Sequence, residues 1–112
     1  MDYEVKKRWL RALRSGRYKQ TTGQLKRTSD GETCFCVLGV LCDLCPQKKW
    51  LGDNTASTIE SGLGIPSPAV LKWAGLGSST PPIKDVRIQK LIQMNDSGVD
   101  FLELANYIEK AI

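Results

Sequence analysis

Apolar positions recur along the chain in blocks, and their spacing predicts the elements. Between Tyr3 and Ser15, Val5, Trp9 and Leu13 fall on one side of a helix, with Lys7, Arg11 and Arg14 almost opposite and Gly16 placed to stop it. Beyond Gly16, Tyr18, Leu25 and the β-branched Thr21, Thr22 and Thr28 suit short extended segments. Asp30-Gly31 is a hairpin turn signal, so a small hairpin is expected within residues 17–34. The run from Cys34 to Cys45 is apolar almost all round and meets Pro46, which predicts a central buried helix. A buried strand of similar length is the alternative that periodicity leaves open.

Residues 46–66 carry Gly52, Asp53, Asn54, Gly62, Gly64 and Pro66 and read as a loop with short helical turns at most. Ser67 and Pro68 then stand as N-cap and first helical position of a short helix, Ala69 to Ala74, anchored by Val70 and Trp73 and stopped by Gly75. Gly75 to Pro82 is a second loop. Ile88, Leu91, Ile92 and Asn95 have helical spacing, although Val86 and Ile88 also alternate as in a strand, and Asn95-Asp96-Ser97-Gly98 supplies a turn. Asp100 and Glu103 form a capping box for a last helix, with Val99 and Leu104 at staple positions. Its apolar stripe is Phe101, Leu104, Ala105, Ile108 and Ile112. The expected fold is α+β and mostly helical: a compact single domain over residues 1–112 with about four helices and a small β-hairpin.

Composition narrows the function classes. A chain of 112 residues, 41% apolar and 25% charged, supports one packed core rather than two and is unlike a disordered chain. The longest apolar run, Cys34 to Cys42, is far shorter than the ~20 residues that span a bilayer. Asp2 and Glu4 open the chain where a secretory signal needs an apolar stretch, so a cytoplasmic protein without membrane contact is expected. There is no histidine, which removes imidazole as base, proton shuttle or metal ligand. Asp43, Asp53, Glu60, Asp85, Asp96, Asp100 and Glu103 include no pair whose spacing compels proximity. The expectation is a protein that is not an enzyme and carries no cofactor.

The net charge of +4 is uneven. Residues 1–30 hold nine basic residues against three acidic ones, and the remainder of the chain is slightly acidic. The basic excess lies on the first helix and in Arg-Ser-Gly-Arg-Tyr-Lys-Gln just beyond it, where guanidinium, amide and aromatic groups suit phosphate and base contacts. Lys7, Arg11, Arg14, Arg17, Tyr18, Lys19 and Gln20 are therefore the candidate ligand-binding residues. A solvated face that keeps the protein soluble is the plainer reading of the same charges.

Cys34, Cys36, Cys42 and Cys45 have the number of thiolates a closed zinc site needs. They are threaded through Phe35, Val37, Leu38, Val40, Leu41 and Leu44, which favours small buried side chains over a metal site. Lys90 to Ala105 resembles the first two helices of helix-turn-helix domains, but a recognition helix would have to follow and the sequence stops at Ile112. Gly62-Leu-Gly64 lacks the third glycine of a phosphate loop. The tryptophans read as core or rim anchors, and Trp50, beside Lys48 and Lys49, is the one placed for ligand contact.

Four blocks together carry a resemblance: Trp9-Leu-Arg-Ala-Leu-Arg-Ser-Gly-Arg-Tyr-Lys-Gln20, Cys36-Val-Leu-Gly-Val-Leu-Cys-Asp-Leu44, Trp73-Ala-Gly-Leu76 and Met94-Asn-Asp-Ser-Gly98. The pattern is similar to that of small uncharacterised accessory proteins encoded by bacteriophages. That resemblance implies a setting in the host bacterial cytosol, where such proteins bind and neutralise host factors. The expected function is non-enzymatic binding of an anionic partner, a nucleotide signal or nucleic acid, through the basic N-terminal surface, in a role that counters host defence. The alternatives are a protein-binding inhibitor or scaffold factor acting on a host protein, and a small cysteine-zinc structural domain.

Overall fold

The computed structural model describes residues 1–46, 68–76 and 86–112. The long loop at 46–66, the Ser67 cap, Trp50 with its flanking lysines, the Gly62-Leu-Gly64 pair, most of the Gly75–Pro82 loop and the carboxylates Asp53, Glu60 and Asp85 lie outside them, apart from the end residues Pro46, Gly75 and Leu76. Helix α1 runs from Tyr3 to Arg14. Asp2 starts it by accepting from the Val5 backbone N–H at 2.9 Å, and Gly16, at φ +75°, takes the left-handed turn that ends it. Its buried face is Val5, Trp9, Leu10 and Leu13. The Trp9 indole donates to the Val37 carbonyl at 3.0 Å, so the largest core side chain also spends its polar atom inside.

Three short strands follow: β1 (Lys19–Gln20), β2 (Lys26–Ser29) and β3 (Glu32–Phe35). β2 and β3 form the expected antiparallel hairpin, Lys26 opposite Phe35 and Ser29 opposite Glu32, turning through Asp30 at φ +53° and Gly31 at φ +77°. Two successive positive φ values match the twist of the strands, and Asp-Gly adopts them at little cost. β1 was not expected. It pairs in parallel with β3, giving the order β1-β3-β2.

The stretch expected as one buried helix from Cys34 to Cys45 divides. Cys34 and Phe35 belong to β3, because the hairpin turn pairs them with Arg27 and Lys26. Cys36 is extended, at φ −83° and ψ 174°, and its backbone N–H is held by the Leu25 carbonyl at 3.1 Å. Helix α2 then spans Val37–Leu44, with the Cys36 sulfur accepting from the Gly39 N–H at 3.3 Å in the place of a capping oxygen. α2 is buried from Val37 through Cys42. A Cβ on Gly39 would overlap the Leu25 carbonyl oxygen, so the glycine is what lets the helix start lie against that backbone.

Helix α3 (Pro68–Ala74) stops at Gly75, and the Ala74 carbonyl accepts from the Asp2 N–H at 2.9 Å, tying the start of α1 to the end of α3. α4 (Val86–Asp96) and α5 (Phe101–Ala111) form the expected helical hairpin. Asp100 caps α5 by accepting from the Glu103 N–H at 2.9 Å, and Phe101, Leu104, Ala105 and Ile108 face inward. α1 packs on α5 and α2, and α2 on α4, so α2 is central to the core. The class is α+β, mostly helical, with five helices and a three-stranded sheet among the described residues.

Candidate functional site: a cleft lined by arginines

Each residue of α1 advances about 100° round the helix axis. Its polar arc is therefore wide enough to meet a different neighbour on each flank. On the α5 side, Arg14 donates to Glu109 Oε1 and Oε2 at 3.4 and 3.3 Å and to Asn106 at 3.1 Å, while the Lys6 ammonium donates to the Glu109 carbonyl at 3.2 Å. On the other flank, Arg8, Arg11, Ala12 and Ser15 follow the i, i+3, i+4, i+7 spacing of a single face. They line an open cleft of about 570 Å³, completed by Arg17 and Tyr18 from the turn after α1 and by Leu44 at the end of α2.

Arg8, Arg11 and Arg17 are exposed and form no ion pair among the described residues. Tyr18 is fixed at both ends. Its ring meets Phe35 edge-on, with centroids 5.0 Å apart, and its hydroxyl donates to Asp43 Oδ2 at 2.6 Å. Burial, then that hydrogen bond and the carboxylate charge, hold the phenol well above its usual range, so it stays a protonated donor. The cleft lining thus combines the cations Arg8, Arg11 and Arg17 with the less polar Ala12, Leu44 and Tyr18.

Of the seven residues proposed from sequence, the structure brings Arg11, Arg17 and Tyr18 together. The others are engaged within the fold. Lys7 lies 3.9 Å from Glu4 and 5.1 Å from the centre of the Tyr3 ring, Arg14 is paired with Glu109, and Lys19 with Glu32. Gln20 is half-buried and donates to the Asn95 side chain at 2.9 Å and the Val99 carbonyl at 2.6 Å. Arg8 was missed, although its spacing from Arg11 and Ser15 was there to be read.

Over residues 1–112 the chain matches DUF8296, a domain of unknown function. The chain belongs to the DUF8296 family. No curated protein and no solved structure is similar to it.

In this DUF8296 chain the four thiols are spread along the fold. Cys34 is half-buried on β3, Cys36 caps α2, Cys42 lies within it and Cys45 closes it, so the four are strung along one strand and one helix. Among the described residues no three cysteine, aspartate or glutamate side chains come close enough to hold an ion. Burial pushes the Cys36 thiol up to about 11 and also holds that of Cys42 well above its ordinary value. No helix among the described residues is long and apolar enough to cross a membrane.

A second polar group in this DUF8296 fold was read from sequence by its helical spacing with Ile88, Leu91 and Ile92 and as the start of a turn, without its partners. Asn95 is buried in the last turn of α4. Its Oδ1 accepts from the Gln20 amide and from the Val37 N–H at 3.1 Å, and its Nδ2 donates to the Thr21 carbonyl at 2.9 Å. Next to it, Asp96 accepts from the Gly23 N–H at 3.0 Å. The seam joins α4 to the β1 segment and to the start of α2.

Proposed function

We propose that this chain is a non-enzymatic binding protein whose Arg8, Arg11 and Arg17 cleft holds a phosphate-bearing ligand. One observation carries the reading: three guanidinium groups without carboxylate partners among the described residues line one cleft, while Lys7, Arg14 and Lys19 are each closed by a glutamate. Guanidinium presents parallel N–H donors that match a phosphate, and several such groups in a concave site raise the local concentration of anions. The volume lies within the range of small-molecule pockets. The absence of histidine, the Tyr18 hydroxyl committed to Asp43 and the buried, protonated thiols of Cys36 and Cys42 support binding over catalysis. In the bacteriophage setting that the sequence resembles, the role would be to sequester such a ligand inside the host cell.

Titration calorimetry with inorganic pyrophosphate at low salt tests this. Arg11→Ala/Arg17→Ala should weaken binding by about tenfold or more, as expected for loss of charge-assisted hydrogen bonds, while Lys7→Ala and Lys19→Ala should change it little. Equal effects from all of these variants would assign the binding to diffuse surface charge and sink the cleft.

A further inference from the structure

Building on that reading of the cleft, we infer that its ligand is a single small nucleotide carrying two or more negative charges, rather than a length of nucleic acid. A polymer needs cations that continue along its phosphates, since each phosphate neutralised adds to affinity and to salt dependence. Among the described residues, Lys7, Arg14 and Lys19 of the same basic segment are paired with Glu4, Glu109 and Glu32. Arg8, Arg11 and Arg17 share one space of about 570 Å³.

The lining of that space carries two kinds of chemistry. Arg8, Arg11 and Arg17 face phosphate, whereas Ala12, Leu44 and the Tyr18 ring offer surface that a phosphate does not use and a base or sugar does. The Tyr18 ring is already anchored by Phe35 and Asp43, so little ordering cost falls on binding. Charge sets the lower limit on the ligand. Among the described residues, three guanidinium groups line the cleft and the Asp43 carboxylate that holds the Tyr18 hydroxyl offsets part of their charge, which leaves an excess that a single phosphodiester does not balance. A terminal phosphate, at about −1.5 to −2 near neutral pH, or a diphosphate does.

Calorimetry with five probes decides the matter: pyrophosphate, adenosine and guanosine 5′-diphosphates, cyclic adenosine monophosphate and a single-stranded oligonucleotide. At least one nucleoside diphosphate should bind about tenfold tighter than pyrophosphate, and the singly charged cyclic nucleotide about tenfold weaker than the better diphosphate. Leu44→Ser should weaken the nucleoside diphosphate more than pyrophosphate, so that the ratio of the two affinities falls from about tenfold towards one. Its melting temperature, compared with that of the unaltered protein, checks that the variant is folded. Pyrophosphate binding as tightly as both nucleotides, or an oligonucleotide binding tighter than either with a steep salt dependence, would overturn this inference and leave the arginine cleft standing. If no probe binds in a way that Arg11→Ala/Arg17→Ala abolishes, the cleft itself is not an anion site and both readings fall.

Discussion

The Asn95 seam and the arginine cleft are both polar, and they differ in where their hydrogen-bonding capacity goes. In the seam, buried Asn95 and half-buried Gln20 are satisfied by Val37, Thr21, Val99 and each other. In the cleft, Arg8, Arg11 and Arg17 face solvent with no carboxylate partner among the described residues. A buried polar group left unpaired costs roughly 1–3 kcal/mol, so the seam is bound to the fold; an exposed guanidinium costs little, and its donors stay available. Substitutions should therefore separate stability from binding along this line.

The largest effect belongs to the seam's neighbour Gly39. Gly39→Ala forces a methyl into the Leu25 carbonyl and should cost about 3 kcal/mol in denaturant melts; a near-neutral result would mean that α2 shifts freely. Asn95→Ala should follow at about 2–3 kcal/mol, because it strands the Val37 N–H, the Gln20 amide and the Thr21 carbonyl together.

Alkaline pH should come next. The folded-state pKa of Cys36, about 11, is raised above its ordinary value of 9.0, so the native state keeps a proton that the unfolded chain releases. That contribution is whole below pH 9 and is lost as pH rises through 11, the loss reaching about 2 kcal/mol at pH 11; Cys42 acts in the same direction. Melts between pH 8 and 11 should show Cys36→Ser falling less steeply than the unaltered protein, the hydroxyl keeping the cap without the titration. Parallel slopes would contradict it.

The smallest effects sharpen the contrast from the other side. Arg8→Ala, Arg11→Ala and Arg17→Ala should each leave stability within about 0.5 kcal/mol, since none gives up a buried contact or an ion pair among the described residues. A loss of more than 1–2 kcal/mol from any of them would place that arginine in the fold rather than in a binding site.

The sequence was most legible where a local signal and the tertiary context agree. Asp30-Gly31 makes its hairpin, Asp100 caps α5, and the apolar face of α1 is buried as its period predicts. It misled where a distant segment decides the outcome. Cys34 and Phe35 look helical by composition, yet they lie in a strand because Arg27 and Lys26 are available to pair with them. Asn95 has the neighbours of a turn residue, but its partners Gln20, Thr21 and Val37 come from another part of the chain, and no spacing within residues 94–98 announces them. For the site, periodicity located the basic arc of α1. Which flank would stay unpaired depended on Glu109 reaching Arg14 from α5, a contact between residues 95 apart.

The seam also bears on the time course of folding. The partners of Asn95 lie 58, 74 and 75 residues away in sequence, so its hydrogen bonds close only after the N-terminal segment, α2 and α4 have met. Such a group joins late, after the transition state has buried most of its apolar surface. Its loss would appear in the rate of unfolding, with refolding almost unchanged, and Asn95 would then serve as a latch on the lifetime of the native state rather than a guide to reaching it.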